Sequence, residues 1–150
     1  MLRSWKLGTA FGIGIHVHAS FLLLPALVFL THFGEGASQA LYMVGLVIAV
    51  FGCVVLHELG HALAARRFGI ATRDITLYPI GGVARLDRMS ERPSEEFRIA
   101  VAGPAVNVVL AFVFGGIKAF AASAGLFEGT FAILPGQDFL TDLIVANVVL

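Results

Sequence analysis

Two histidines four residues apart, with a glutamate directly after the first, are the residues of this sequence best suited to chemistry. They form the stretch His57-Glu58-Leu59-Gly60-His61. Side chains at positions i and i+4 lie on one face of a helix, so both imidazoles can reach one metal ion. Glu58 is then placed to take a proton from a metal-bound water. The spacing predicts a zinc site with His57 and His61 as ligands and Glu58 as the general base.

A plainer interpretation has the two histidines packed inside a helix bundle and the glutamate paired with an arginine at the membrane surface. Arg66 lies about 12 Å along the helix from Glu58, which is too far for easy pairing. Ionisable residues inside an apolar helix are costly and are functional by default. The catalytic interpretation is therefore preferred.

The surroundings of this motif are apolar. Residues 41–56 carry no charge, and hydrophobic residues make up 58% of the chain against 13% charged ones, with a mean hydropathy of +0.90. Soluble domains carry about 25% charged residues, so the composition indicates an integral, multi-pass membrane protein in contact with the lipid bilayer. The formal net charge is zero, and no nucleic-acid partner is expected.

Apolar segments of this length predict an all-α polytopic membrane fold with about four transmembrane helices and a small β-hairpin at the cytoplasmic face. Alternating residues at 73–86 form the predicted hairpin, with Gly81-Gly82 as its two-residue turn. Residues 1–15 would suit a strand near the membrane surface. The spans are predicted at about 17–33, 40–65, 99–117 and 139–150, the last of them cut off by the end of the chain.

The basic residues predict the orientation. Nine of the ten lysines and arginines lie before the first span or between the second and third, and only Lys118 lies on the other side. The positive-inside rule then puts the N-terminus and residues 66–98 in the cytoplasm. His57 lies roughly 24 Å along the second span from Leu41, in a hydrocarbon core about 30 Å thick. The site is therefore expected inside the membrane, near its cytoplasmic face.

A catalytic zinc ion normally takes three protein ligands. Cys53 shares the helix face of the histidines, but it lies about 12 Å along the axis from His61, so a small core residue is the better interpretation. Asp142 would lie only about 5 Å into the membrane from the outer face, far from the depth of His57. This depth argument predicts that the third ligand follows Leu150.

Other residues are weaker candidates for the site. His16 and His18, at the cytoplasmic end of the first span, could supply a ligand, although interfacial histidines are the simpler interpretation. Asn107, on the third span, either bonds to a neighbouring helix or steadies substrate or oxyanion. Gly81 and Gly82 either form only a turn or present an edge strand to an extended peptide.

Taken together, these features resemble the site-2 protease family of intramembrane zinc metalloproteases, over essentially the whole chain. The likeness rests on His57–His61 and on the stretches Gly14-Ile15-His16-Val17-His18-Ala19-Ser20-Phe21, Pro79-Ile80-Gly81-Gly82-Val83-Ala84-Arg85 and Ala102-Gly103-Pro104-Ala105-Val106-Asn107. The family's third ligand is an aspartate in an Asn-Pro-Asp-Gly type motif on a later helix. Residues 147–150 are similar to the lead-in to that motif.

The resemblance implies that residues 1–150 form the N-terminal part of an intramembrane metalloprotease domain. It further implies Zn²⁺ as cofactor and transmembrane proteins as substrates, cleaved within the bilayer. One alternative is a membrane-anchored protease that works in water, which the apolar run before His57 disfavours. Another is a non-enzymatic metal-binding scaffold or transporter subunit. The oligomeric state is left open.

Overall fold

The computed structural model describes residues 3–88, 90, 92–125 and 138–150. These residues contain four α-helices: α1 (Leu23–His32), α2 (Ala37–Arg67), α3 (Pro93–Ser123) and α4 (Phe139–Val149). They also contain four strands: β1 (Ser4–Ala10), β2 (Ile13–His18), β3 (Thr72–Tyr78) and β4 (Gly81–Leu86). The chain divides into two compact units, residues 1–24 with 51–106 and residues 25–50 with 107–150. The His57–His61 stretch lies in the first unit.

Two of the helices are long enough and apolar enough to cross a membrane. Both α2 and α3 have 31 residues, with hydropathies of 2.4 and 2.0 over their best windows. At 1.5 Å per residue each is about 46 Å long, more than the hydrocarbon core of about 30 Å. They contain the predicted spans 40–65 and 99–117. The other apolar helical segments, Ala19–Glu35 and Phe139–Val149, are shorter, so in the described part of the chain only two of the four predicted spans reach this length.

The prediction was wrong at the start of the first span. Val17 and His18 belong to strand β2, and a 3-10 turn at Ala19–Leu22 separates this strand from the ten-residue helix α1. The His18 side chain accepts a hydrogen bond from the backbone N–H of Ser20 and so caps this turn. An apolar run cannot by itself distinguish a buried strand from the beginning of a helix.

The all-α description was also wrong, because the strands form one mixed sheet in the order β1-β2-β3-β4. The outer pairs are antiparallel, whereas β2 and β3 run parallel. A parallel pair needs a long crossover connection, and here α1 and α2 lie between the two strands along the chain. The expected strand in residues 1–15 is present, as β1 and the first half of β2.

The predicted hairpin at 73–86 is confirmed, but its turn is not Gly81-Gly82. Tyr78 pairs with Gly81, so Pro79 and Ile80 form the two-residue turn and both glycines belong to β4. Gly81 has a φ of +135°, a conformation that favours glycine. Strand β4 is one of the two edge strands of the described sheet.

A charged pair joins β3 to β4. The Arg85 guanidinium donates two hydrogen bonds to the Asp74 carboxylate, at 2.8 Å from Nε and 2.7 Å from Nη2. This hydrogen-bonded guanidinium holds the pKa of Asp74 below its ordinary value. The pair fixes the register of the edge strand.

One face of the sheet packs on the part of α2 that carries the histidines. Ile13 and Ile75 contact Leu59 and Ala62 in one buried cluster. The second cluster combines strand, turn and helix residues in the same way: Val17, Phe21, Val54 and Leu77. Because these contacts flank residues 57–61 on α2, the sheet holds the His57–His61 stretch in place.

Candidate active site

The two histidines of α2 converge on one point. The Nε2 atoms of His57 and His61 are 3.0 Å apart, and the rings meet edge to face with centroids 4.7 Å apart. Two imidazole nitrogens can share one zinc ion when each lies about 2 Å from it. A separation of 3.0 Å satisfies this condition.

A backbone carbonyl orients the second of these rings. His61 Nδ1 lies 2.7 Å from the carbonyl oxygen of Ile99 on α3. A carbonyl only accepts hydrogen bonds, so Nδ1 carries the proton and the neutral ring presents the lone pair of Nε2 toward His57. Histidine ligands of metals are commonly held by such a bond. The donor set therefore fits a cation such as Zn²⁺ between the two Nε2 atoms.

Gly103 leaves the space into which both rings point. A Cβ atom at this position would lie 2.6 Å from His57 Nε2 and 2.5 Å from His61 Cε1, closer than real Cβ atoms come. Gly103 was not predicted as a site residue. A glycine in the middle of an apolar helix, directly before Pro104, was the available signal.

Another glycine brings α2 and α3 together at this level. A Cβ on Gly60 would lie 2.8 Å from both the carbonyl oxygen of Ala102 and Val106 Cγ2. Only a residue without a side chain allows the helices to approach so closely. This approach brings Ile99 and Gly103 within reach of the histidines.

Glu58 lies between the histidines and the edge of the sheet. A Cβ on Gly82 of β4 would lie 2.7 Å from Glu58 Cγ and 3.1 Å from Val54 Cγ1. Glu58 and His61 also line a cavity of about 280 Å³. The polar members of its wall include Arg88, Ser90 and Glu96. The carboxylate thus borders both a partly polar cavity and the backbone of the edge strand.

The remaining predicted site residues, Asn107 and Gly81, differ in their surroundings. Asn107 is only 2% exposed, and neither polar atom of its amide has a hydrogen-bond partner among the described residues. It follows Gly103 by four residues on α3 and so lies on the same face of that helix. A Cβ atom on Gly81 would have no neighbour within 4 Å. Of the two β4 glycines, only Gly82 has Glu58 next to the position that a Cβ would take.

The alternative third ligands have other contacts of their own. Cys53 is buried, as expected for a core residue. The rings of His18 and Tyr78 pack 4.9 Å apart. The Tyr42 hydroxyl donates a 2.5 Å hydrogen bond to the Asp142 carboxylate. Within the described ranges, no group of three histidine, cysteine, aspartate or glutamate side chains could hold a metal ion.

Known proteins are similar to this chain in sequence and in fold. Residues 45–146 match peptidase family M50. A putative zinc metalloprotease of Synechocystis sp. is 39% identical over 118 residues, which are 73% of this chain and 31% of that protein. A zinc metalloprotease of Methanocaldococcus jannaschii is 37% identical over 117 residues, 75% of this chain and 32% of the relative. This chain therefore spans about a third of the length of these curated relatives.

A solved structure is similar to nearly all of the chain. The site-2 protease from Methanocaldococcus jannaschii superposes with a TM-score of 0.70 at 29% identity, covering 97% of this chain and 61% of that one. The predicted likeness to site-2 proteases is thus confirmed by sequence and by fold. With about two thirds of its length matching the family, this chain belongs to peptidase family M50, the site-2 protease family.

Proposed function

We propose that this protein supplies two metal ligands and the general base of a zinc-dependent endopeptidase that cuts membrane-embedded substrates within the bilayer. His57 and His61 are the proposed ligands, and Glu58 is the proposed base. The observation that carries the proposal is the 3.0 Å approach of the two Nε2 atoms, with Glu58 beside them. A third ligand is expected from a residue outside the described part of the chain.

Each residue near the two histidines has a task in this proposal. Zinc, when bound, supplies a Lewis acid that polarises the scissile carbonyl and makes water acidic enough to lose a proton. The Ile99 carbonyl keeps His61 in the tautomer that binds a metal. Gly103 keeps a side chain out of the space that both rings face. Glu58 accepts the proton of the attacking water and can pass it to the leaving amine.

The edge of the sheet is the proposed substrate platform. A helical substrate must unwind locally, because its carbonyl groups are already hydrogen-bonded. An extended peptide can instead pair with the unpaired backbone groups of an edge strand. Strand β4 is such an edge, and Gly82 brings its backbone against Glu58. Gly81 and Gly82 would therefore align the scissile bond beside the base.

Asn107 is proposed to steady the substrate or the oxyanion. A buried amide without a partner costs free energy, and neither polar atom of Asn107 has one in the described residues. A substrate carbonyl or a developing oxyanion could accept a hydrogen bond from Nδ2. An interhelical hydrogen bond is the competing explanation.

The proposed topology has a cytoplasmic N-terminus and an active site near the cytoplasmic face of an integral membrane protein. Membership of the family and the two membrane-capable helices support the membrane location. The positive-inside distribution of arginines supports the orientation. The cavity bordered by Arg88, Ser90 and Glu96 offers water a partly polar route to Glu58.

Gly82→Ala is expected to reduce cleavage by roughly tenfold without loss of zinc. The added methyl group would push on Glu58 Cγ and Val54, so the base and the edge strand would separate, and a displacement of about 1 Å can cost up to 100-fold. Initial cleavage rates and zinc content are measured together. Gly8→Ala is the control, since this strand glycine of β1 has no neighbour within 4 Å. Equal losses in both variants would contradict the proposed role.

Metal removal tests the proposed function against its alternatives. The full-length protein is reconstituted in lipid vesicles with a transmembrane substrate and treated with a zinc chelator. We expect cleavage to stop and to return when zinc is added back, because both the water and the carbonyl are activated by the metal. Cleavage that continues in the metal-free protein would refute the zinc protease. Zinc binding without cleavage of any membrane substrate would favour the scaffold.

A further inference from the structure

Besides the cavity that Glu58 lines, a groove lies between α2 and α3. Its lining does not include Glu58 or either histidine. Its volume is about 510 Å³. Two arginines line it, Arg67 at the end of α2 and Arg98 near the start of α3. The rest of the lining is apolar and includes the small residues Gly60, Ala64, Ala102 and Ala105.

The two arginines share this groove without an anion from the protein. In the part of the chain that the structure describes, neither Arg67 nor Arg98 forms an ion pair or a side-chain hydrogen bond, and both are exposed. Three of the four arginines that lie between the two helices in the sequence have carboxylate partners: Arg73 pairs with Asp87, Arg85 with Asp74 and Arg92 with Glu95. Two guanidinium groups at one groove attract an anion with several oxygen atoms, such as a phosphate.

The helix dipole explains only one of these positions. Arg67 is in the last turn of α2, where a positive charge is favourable. Arg98 is near the N-terminal end of α3, where the dipole gives a positive charge no benefit. The positive-inside rule covers both residues, and their shared groove would in addition let both contact one anion.

The groove combines positive charge with apolar surface, which suits an anion that also carries an apolar part. Gly60 and Ala102 form the close helix contact beneath the groove, and the small side chains around them leave a slot open along two apolar helices. In a membrane protein such a slot faces acyl chains, while arginines at the helix ends lie among the headgroups. Free phosphate would use the guanidinium groups and leave the slot unused.

We propose that this groove binds an anionic glycerophospholipid, with its phosphate between Arg67 and Arg98 and an acyl chain along Ala64, Ala102 and Ala105. The proposal rests on the membrane location in the proposed function, but not on zinc or proteolysis. Gly60 and Ala102 are direct neighbours of His61 and Gly103, so the lipid would line the same helix pair that carries the candidate metal site.

Binding of two defined lipids tests the proposal. The purified protein in detergent is titrated with phosphatidylglycerol or phosphatidylcholine, and adducts are counted by native mass spectrometry. Both lipids carry a phosphodiester, but phosphatidylcholine adds a choline cation that two guanidinium groups repel. We therefore expect phosphatidylglycerol to bind at least about tenfold more tightly. The double variant Arg67→Gln/Arg98→Gln should lose this preference. The control double variant Arg73→Gln/Arg92→Gln removes the same charge outside the groove and should keep it.

Two further experiments distinguish a bound lipid from a free anion. Ala105→Trp would fill the slot and leave both arginines, and it should weaken phosphatidylglycerol binding although the headgroup site is intact. Inorganic phosphate at millimolar concentration should not displace the lipid. Displacement by phosphate, an unaffected Ala105→Trp variant, equal binding of both lipids or an equal loss in the control would each overturn the proposal. Zinc content and cleavage are recorded for every variant, so a failure here is distinguishable from failure of the proposed function.

Discussion

A Glu58→Gln variant of the full-length protein is expected to cleave its membrane substrate at least about 100-fold more slowly while its zinc content stays unchanged. General base catalysis contributes about 10²–10⁴-fold. Glutamine keeps the size of the side chain, which matters because Gly82 packs against Glu58 Cγ. The carboxamide cannot accept the proton of the attacking water. The loss should therefore appear in the cleavage rate and not in zinc binding.

The measurement combines cleavage in lipid vesicles with zinc content and thermal unfolding. Glu35→Gln is the control, because Glu35 is exposed in a 3-10 turn and is not part of the cavity that Glu58 lines. Unimpaired cleavage by Glu58→Gln would eliminate Glu58 as the base. Loss of zinc together with cleavage would instead assign Glu58 to the metal site.

Gly103→Ala is expected to lower zinc affinity on the order of 100-fold, and to abolish cleavage with it. The methyl group would occupy the space between the two rings, 2.6 Å from His57 Nε2. Alanine favours a helix over glycine by about 1 kcal/mol, so α3 itself should not be weakened. Losses of about 10–100-fold follow even from removal of groups behind the ligands, and this change acts on the ligands directly.

Gly115→Ala, on the same helix, is the matched control. Gly115 has open space where its Cβ would lie, so zinc affinity and cleavage should be unchanged and the thermal stability equal or slightly higher. Zinc dissociation constants from competition with a chelator are compared for the two variants. Normal zinc affinity in Gly103→Ala would contradict metal binding by His57 and His61 on the side that faces Gly103.

The local sequence pattern was sufficient to predict those parts of the structure that depend on neighbours along the chain. The i, i+4 spacing of His57 and His61 puts both rings on one helix face whatever surrounds them. Apolar runs were enough to locate α2 and α3, and alternation was enough to locate β3 and β4. These assignments hold because helix and strand periodicity are properties of short segments.

The tertiary structure decided everything that depends on residues far apart in the sequence. Ile15 pairs with Ile75 across the parallel strands, a contact that no local pattern indicates. The Ile99 carbonyl orients His61. Side-chain types could not indicate this role, because every residue has a backbone carbonyl. From the sequence, Gly103 is only a small residue in an apolar helix. The structure shows that the two imidazole rings lie where its side chain would be. A glycine's role depends on the atoms that approach it, and those atoms are brought there by the fold.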